Sequence, residues 1–257
     1  MSVLKAKIRE ELVGFRGRIG LAIEAGDECI YFNSEEVFPS ASVIKVPILL
    51  AGLKQAEEGY VNLDQLTVIT ERVGGSGVLQ SLSSLASLTI KDLLTLMITV
   101  SDNVATNMVI DLLGIEAINQ EMERLGLKST NLNRKMMDFA AIQRGFDNVT
   151  CPSDMVKCLK AINEGAFLSA ESKEIALSIM HAQQFLDKLP AMMDPDRVFI
   201  ANKTGGLPNV EHDCAIFKYN GKTAYAAVLT DQLTDAYEAK LVISRIGKHV
   251  ADYLLPE

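Results

Sequence analysis

The sequence predicts an α+β fold within the α/β class: an antiparallel sheet flanked by the N- and C-terminal helices, with an all-helical half inserted between its strands. Three observations lead there. Short apolar runs punctuated by turn residues sit near the N-terminus, a second such set sits near the C-terminus, and the long stretch between them has helical spacing. Strands from the two ends must then pair with one another. Residues 1–257 therefore form one domain, with a sheet half of about 1–40 and 190–257 and a helical half of about 41–189.

Val3, Leu4, Ile8, Leu12 and Val13 recur at helical intervals and predict a helix over 3–14. Ile19–Ile23 and Cys29–Phe32, separated by Ala25-Gly26-Asp27, predict a hairpin. Everything from about residue 40 to 185 is expected as helices and loops. Leu88–Val100 and Asn103–Leu113 are its clearest helices, each bordered by capping residues. Arg197–Asn202 is a further strand, and Asp213–Tyr219 and Thr223–Thr230 flank Asn220-Gly221, a pair that tolerates positive φ in a tight turn. A last helix spans Asp235–Leu254, with Leu241, Ile243, Ile246 and Val250 on its apolar side.

With 48% apolar residues the chain can bury a sizeable core. Net charge is -8, with both signs interspersed and no Lys/Arg block, which argues against nucleic acid and anionic membrane as partners and favours a small-molecule substrate. Cys29, Cys151, Cys158 and Cys214 show no metal-type pairing with histidines and are expected to be reduced and structural. No cofactor and no metal is called for. His181, His212 and His249 are scattered, and a helix-surface or loop role is expected for each; Met97, Met108 and Met192 suit core or cleft filling. Charges interrupt the N-terminal segment every few residues, so no signal peptide or membrane span is expected. The sequence as it stands points to the cytoplasm, and to an extracytoplasmic site only if a leader has been trimmed. It sets no oligomeric state.

Three short motifs carry chemistry. The first is Ser42-Val43-Ile44-Lys45. If a helix starts here, Ser42 lies in its first turn with Lys45 on the same face, and a lysine whose pKa is lowered by burial or a second cation can take the hydroxyl proton. Alone the pattern means little: it occurs about once by chance in a chain this long, and a helix cap beside a surface lysine looks the same. The second is Ser101-Asp102-Asn103, between two predicted helices. It offers a proton-shuttling hydroxyl and a substrate-binding amide, or a plain N-cap. The third is Lys203-Thr204-Gly205-Gly206, at the end of a predicted strand, suited to hold a carboxylate beside a backbone that a substrate can approach closely, or to make a turn before Pro208. All three in this order, on these element types, are far less probable by chance than any one.

In these motifs the chain resembles the class A β-lactamase and penicillin-recognising serine hydrolase superfamily. The resemblance extends to Gly74-Gly75-Ser76-Gly77-Val78-Leu79, to Thr89-Ile90-Lys91-Asp92-Leu93-Leu94 and to Leu189-Pro190-Ala191. It implies a β-lactamase/transpeptidase-like fold and acylation of Ser42, with Lys45 serving in its activation. Ser101 would pass a proton to the leaving nitrogen, Asn103 would bind the acyl side chain, and Lys203 and Thr204, beside Gly205, would hold the carboxylate. The backbone N–H groups of Ser42 and Gly206 would form the oxyanion hole.

One departure matters. The family's class A enzymes carry a loop glutamate that primes the deacylating water, and simple alignment sets Met136 at that position. Asp138, two residues on, is either a substitute base or a structural carboxylate paired with Arg134 or Lys135. The resemblance therefore implies a serine hydrolase that cleaves β-lactam amides through an acyl-enzyme. The alternatives are a cytosolic esterase or D-amino-acid peptidase on the same scaffold, or a slowly deacylating penicillin-binding protein.

Overall fold

A computed structural model describes residues 2–83 and 87–256. Ser2 caps the first helix, α1 (Val3–Leu12), by accepting from Lys5 N. Only Leu4 and Ile8 are buried on it; Val3 and Val13, expected on the apolar stripe, are exposed, because the helix stops at Leu12 and packs along one narrow face. The predicted hairpin follows as β1 (Arg18–Ala25) and β2 (Glu28–Phe32), with Ala25 opposite Glu28.

After the two-residue strand β3 (Phe38–Pro39), a 3-10 turn over Ala41–Ile44 runs directly into α2 (Lys45–Glu57). This helix buries nearly every face, including Val46, Ile48, Leu49, Leu50 and Leu53, as a helix through the middle of a core must. Next come β4 (Leu66–Val68), β5 (Ser87–Thr89), α3 (Ile90–Thr99), α4 (Asn103–Leu113) and α5 (Ile115–Arg124). Helix α6 (Phe139–Gln143), strand β6 (Val149–Thr150), α7 (Pro152–Asn163) and α8 (Ala170–His181) complete the half.

This half is not purely helical, which corrects the sequence expectation. Strand β4 pairs with β5, and β3 pairs with β6. Runs of two or three residues are too short to show a period, so no pattern in the sequence betrays them. The helix expected from Leu88 starts at Ile90, where Thr89 and Asp92 close a reciprocal capping box.

The C-terminal segment supplies β7 (Phe199–Leu207), β8 (Val210–Tyr219), β9 (Lys222–Asp231) and α9 (Ala236–Leu254). Asn220 and Gly221 both have positive φ and form the predicted turn. Strand β7 runs through the whole Lys203–Gly206 motif and stops one residue later at Leu207, so the motif forms the end of a strand and not a turn. The five long strands form one antiparallel sheet in the order β2-β1-β9-β8-β7, with β1 joining β9 across the chain. Strand β7 is therefore an edge.

Period-2 alternation splits the core into two layers. Leu21, Ile23, Ala215, Phe217, Ala226 and Val228 face α1 and α9, where Ile8, Ile243, Ile246 and Val250 meet them. Ala22, Cys214, Ile216, Ala227 and Leu229 face the helical half. The four cysteines are free; Cys151, Cys158 and Cys214 are buried, whereas Cys29 is exposed on β2 and is not a core residue. Met97 and Met108 are core, and Met192 is exposed. Leu241 stays outside the fully buried face of α9, where Val242 takes its place. No helix among the described residues is long and apolar enough to cross a membrane.

Helix α9 and the loop before β7 touch backbone to backbone. A Cβ at Gly247 would lie 2.0 Å from Leu189 O and 2.8 Å from Leu189 Cα. Neither group is the end of a flexible side chain, so one element must move. Gly247→Ala is expected to cost about 3 kcal/mol, measurable as a lowered urea midpoint at unchanged slope.

Candidate active site

Two buried lysines converge on one hydroxyl. Lys45, at the start of α2, donates to Ser101 Oγ at 3.0 Å, to Ser101 O at 2.7 Å and to Asn103 Oδ1 at 3.0 Å. Lys203, on β7, donates to the same Ser101 Oγ at 3.2 Å and to Thr204 O at 2.7 Å. Both lysine side chains are fully excluded from solvent. Burial, reinforced by the neighbouring charge of Lys203, lowers the pKa of Lys45 well below the ordinary lysine value, although Asp102 opposes this. Burial likewise brings Lys203 down to about 7.

Ser42 sits in the 3-10 turn just ahead of Lys45 and lines one cleft with Ser101, Thr204, Gly205 and Gly206. Two non-glycine residues next to this chemistry hold left-handed backbone, Ala41 with φ 43° and Ser101 with φ 54°. Such conformations cost about 1–3 kcal/mol each and persist where the surroundings over-determine them.

The surroundings do so. The buried Asp102 caps α4 through Ala105 N at 2.9 Å, and its other oxygen accepts from Val78 N at 2.7 Å and Leu79 N at 2.8 Å. Asn103 ties the same loop down from its own backbone and side chain, donating from N to Ser76 O at 3.1 Å and from Nδ2 to Gly74 O at 3.1 Å. On the strand side, a Cβ at Gly205 would lie 3.2 Å from Ala41 Cβ, 3.3 Å from Ser42 N and 3.3 Å from His212 Cβ. A Cβ here would be a tight contact, so a glycine eases the close approach of the edge strand to the turn bearing Ser42.

His212 corrects a sequence expectation: it is fully buried beneath the site and not a surface residue. Its Nδ1 accepts from Thr230 N at 3.0 Å, which puts the proton on Nε2, and Nε2 donates to Pro39 O at 2.7 Å. Burial pushes its pKa down to about 4, so the ring is a neutral strut between β8, β9 and the strand leading into Ser42. His181 stacks on Phe199, and His249 meets Glu11 at 3.0 Å.

The loop of the missing glutamate is held by other means. Asn107 clamps the Met136 peptide groups, accepting from Met136 N at 2.7 Å and donating to Met136 O at 3.1 Å. Met136 is buried and lines a second lobe of the cleft together with Ser42, Asn103, Met137, Phe139, Ile142 and Leu207. Asp138 does not pair with Arg134 or Lys135; it caps α6 through Ala141 N at 2.9 Å. Arg134 pairs instead with Asp147, and Lys135 with Asp111. No carboxylate is among the described residues lining this lobe.

The first lobe, about 250 Å³, also holds a charged group that sequence reasoning passed over: Lys188, Glu211, Asp187 and Lys240. Lone charges in a loop, on a strand and on a helix carry no shared periodic signal, and only the fold makes them neighbours. Among the described residues no cluster of His, Cys, Asp or Glu could hold a metal ion.

Known proteins resemble this chain in sequence and in fold. The family described as the beta-lactamase enzyme family matches residues 3–254. A β-lactamase of Bacteroides uniformis is 27% identical over 98% of this chain and 91% of its own, and one of Rhodobacter capsulatus is 29% identical over 92% and 81%. The crystal structure of a β-lactamase from Sphaerobacter thermophilus superposes with a TM-score of 0.89 at 29% identity, covering 99% of this chain and 98% of that one. A variant of PBP-A, solved as an acyl-enzyme complex with penicillin G, gives 0.88 at 29% identity over 97% and 95%. With the family matched along nearly its whole length, the chain belongs to the beta-lactamase enzyme family of hydrolases.

Proposed function

We propose that the protein cleaves β-lactam amides through an acyl-enzyme on Ser42 and releases the acyl group slowly. The observation that carries the first half is the pair of buried lysines sharing Ser101 Oγ beside Ser42. Lys45, its pKa lowered, gives up a proton to become the base that takes the Ser42 hydroxyl proton as Oγ attacks the β-lactam carbonyl. Charge developing on the carbonyl oxygen is met by the N–H groups of Ser42 and Gly206. As the C–N bond breaks, Ser101 hands its proton to the nitrogen and is reprotonated from the lysines around it. Lys203, when protonated, and Thr204 hold the substrate carboxylate, and Asn103 bonds the acyl amide.

The observation behind slow release is Met136. A thioether cannot accept a proton from water, and Asp138 is committed to capping α6. Asp187 and Glu211 of the first lobe are each ion-paired, with Lys240 and Lys188 respectively. Met136, Met137, Phe139, Ile142 and Leu207 give the acyl side of the cleft an apolar wall, which suits an apolar acyl substituent.

Intact-mass measurement after adding penicillin G tests both halves. The native protein is expected to carry one adduct on Ser42 that outlasts removal of free drug, and Ser42→Ala to carry none; absence of any adduct on the native protein defeats the proposal. Met136→Glu is expected to speed loss of the adduct by roughly a hundredfold, the usual yield of a positioned general base. The pH profile has a defined sign. Raising pH frees the Lys45 base, which helps acylation, but discharges Lys203 near pH 7, which removes the carboxylate's cation. Acylation by penicillin G should thus fall as pH rises above about 7, whereas acylation by its methyl ester should not.

A further inference from the structure

Lys188 lies outside every motif of the sequence, yet it is as well fixed as the catalytic candidates. Only 4% of it is exposed. Its ammonium donates to Gly205 O at 2.7 Å and His212 O at 3.0 Å, and meets Glu211 Oε2 at 2.5 Å. The neighbouring Leu189 is pinned on both sides. Its N–H donates to Asp213 Oδ2 at 3.0 Å, and its carbonyl packs on Gly247. Asp213 is itself buried and accepts from Asn202 Nδ2 at 3.1 Å. A long side chain held at both its backbone and its head has little freedom left.

We infer that Lys188 is a positioning residue that orients and polarises the Gly205–Gly206 peptide, and so strengthens the Gly206 N–H as an oxyanion donor. This rests on the acyl-Ser42 reading above. The carbonyl of Gly205 and the N–H of Gly206 belong to one peptide group, which is trans like every other described here. In a planar trans peptide the two bonds point in opposite directions, so a carbonyl drawn toward Lys188 turns the N–H away from it. Strand β7 is the edge of the sheet, and the 3-10 turn with Ser42 packs on that edge at Gly205. A cation on the carbonyl oxygen also favours the resonance form with negative oxygen and positive nitrogen, making the N–H a stronger donor. In a buried setting this charge acts through little screening solvent. Glu211 keeps the ammonium from turning out into the cleft.

A role in binding the substrate carboxylate predicts something different, and the two can be separated. Lys188→Met keeps the length of the side chain and removes its charge; Lys188→Met/Glu211→Gln also neutralises the carboxylate that loses its nearer cation, with Lys240 at 3.9 Å remaining, and serves where the single variant folds poorly. The ester carbonyl stretch of the penicillin G acyl-enzyme, read by isotope-edited infrared difference spectroscopy, reports the strength of the oxyanion donors. It is expected to move to higher wavenumber in both variants, and to return toward the native value in Lys188→Arg. Acylation by penicillin G and by penicillin G methyl ester is expected to slow by a similar factor, about tenfold, below the hundredfold or more lost when a donor is removed altogether. An unshifted carbonyl band in both variants overturns the inference, as does slowing confined to the free acid, which would mark Lys188 as a carboxylate ligand only. If the native protein forms no adduct on Ser42, the underlying acyl-enzyme reading fails first, and the inference with it.

Discussion

The site depends on keeping two lysines out of water within reach of one serine hydroxyl. Two ammonium groups so placed repel each other, and each loses solvation, so the pair is tolerable only because the protein supplies acceptors and lets the pKa values fall. Ser101 O, Ser101 Oγ, Asn103 Oδ1 and Thr204 O are those acceptors. The same strain that burial imposes is what makes a lysine usable as a base near neutral pH. Stability and reactivity here are two sides of one desolvation cost.

Holding that pair requires three distant segments to be registered to within a hydrogen bond. The start of α2 brings Lys45, the junction of α3 and α4 brings Ser101, and the edge strand brings Lys203. Each is fixed from behind by a buried polar group that never enters the cleft. Asp102 locks the junction to the loop at 78–79, His212 locks the sheet to Pro39, and Asp213 locks the loop before β7 to β8. The pKa values of His212 and Asp213 are moved by burial in opposite chemical senses, down to about 4 and up to about 6, and both shifts favour the neutral form. Near neutral pH His212 is therefore uncharged, whereas Asp213 is still mostly ionised and offsets part of the positive charge crowded there.

Much of this was legible in the chain, for identifiable reasons. The hairpin at Asn220-Gly221 follows from turn chemistry, the last helix from its apolar spacing, and the three motifs from their order. The ribbons β3–β6 and β4–β5 were not legible, because two or three residues cannot show alternation. Nor was the fate of His212, since a lone histidine on a strand looks the same whether its face is wet or dry. Asp138 was recognised as a carboxylate near Arg134 and Lys135, but which charge meets which is settled by loop path, and the loop gives Arg134 to Asp147 and leaves Asp138 to cap a helix.

The sequence by itself determined the residue types that do chemistry, because a hydroxyl, an amine and an amide are properties of the side chains wherever they sit. It also determined that Met136 brings no base to its loop. Only the tertiary structure decided that Lys45 and Lys203 share one oxygen, that the turn of Ser42 lies close against Gly205, and that Lys188 grips the peptide next to Gly206. Those are contacts between segments as far apart as Ser42 and Gly205, 163 residues along the chain, and no local pattern encodes a distance that only packing the whole sheet against the helical half can set.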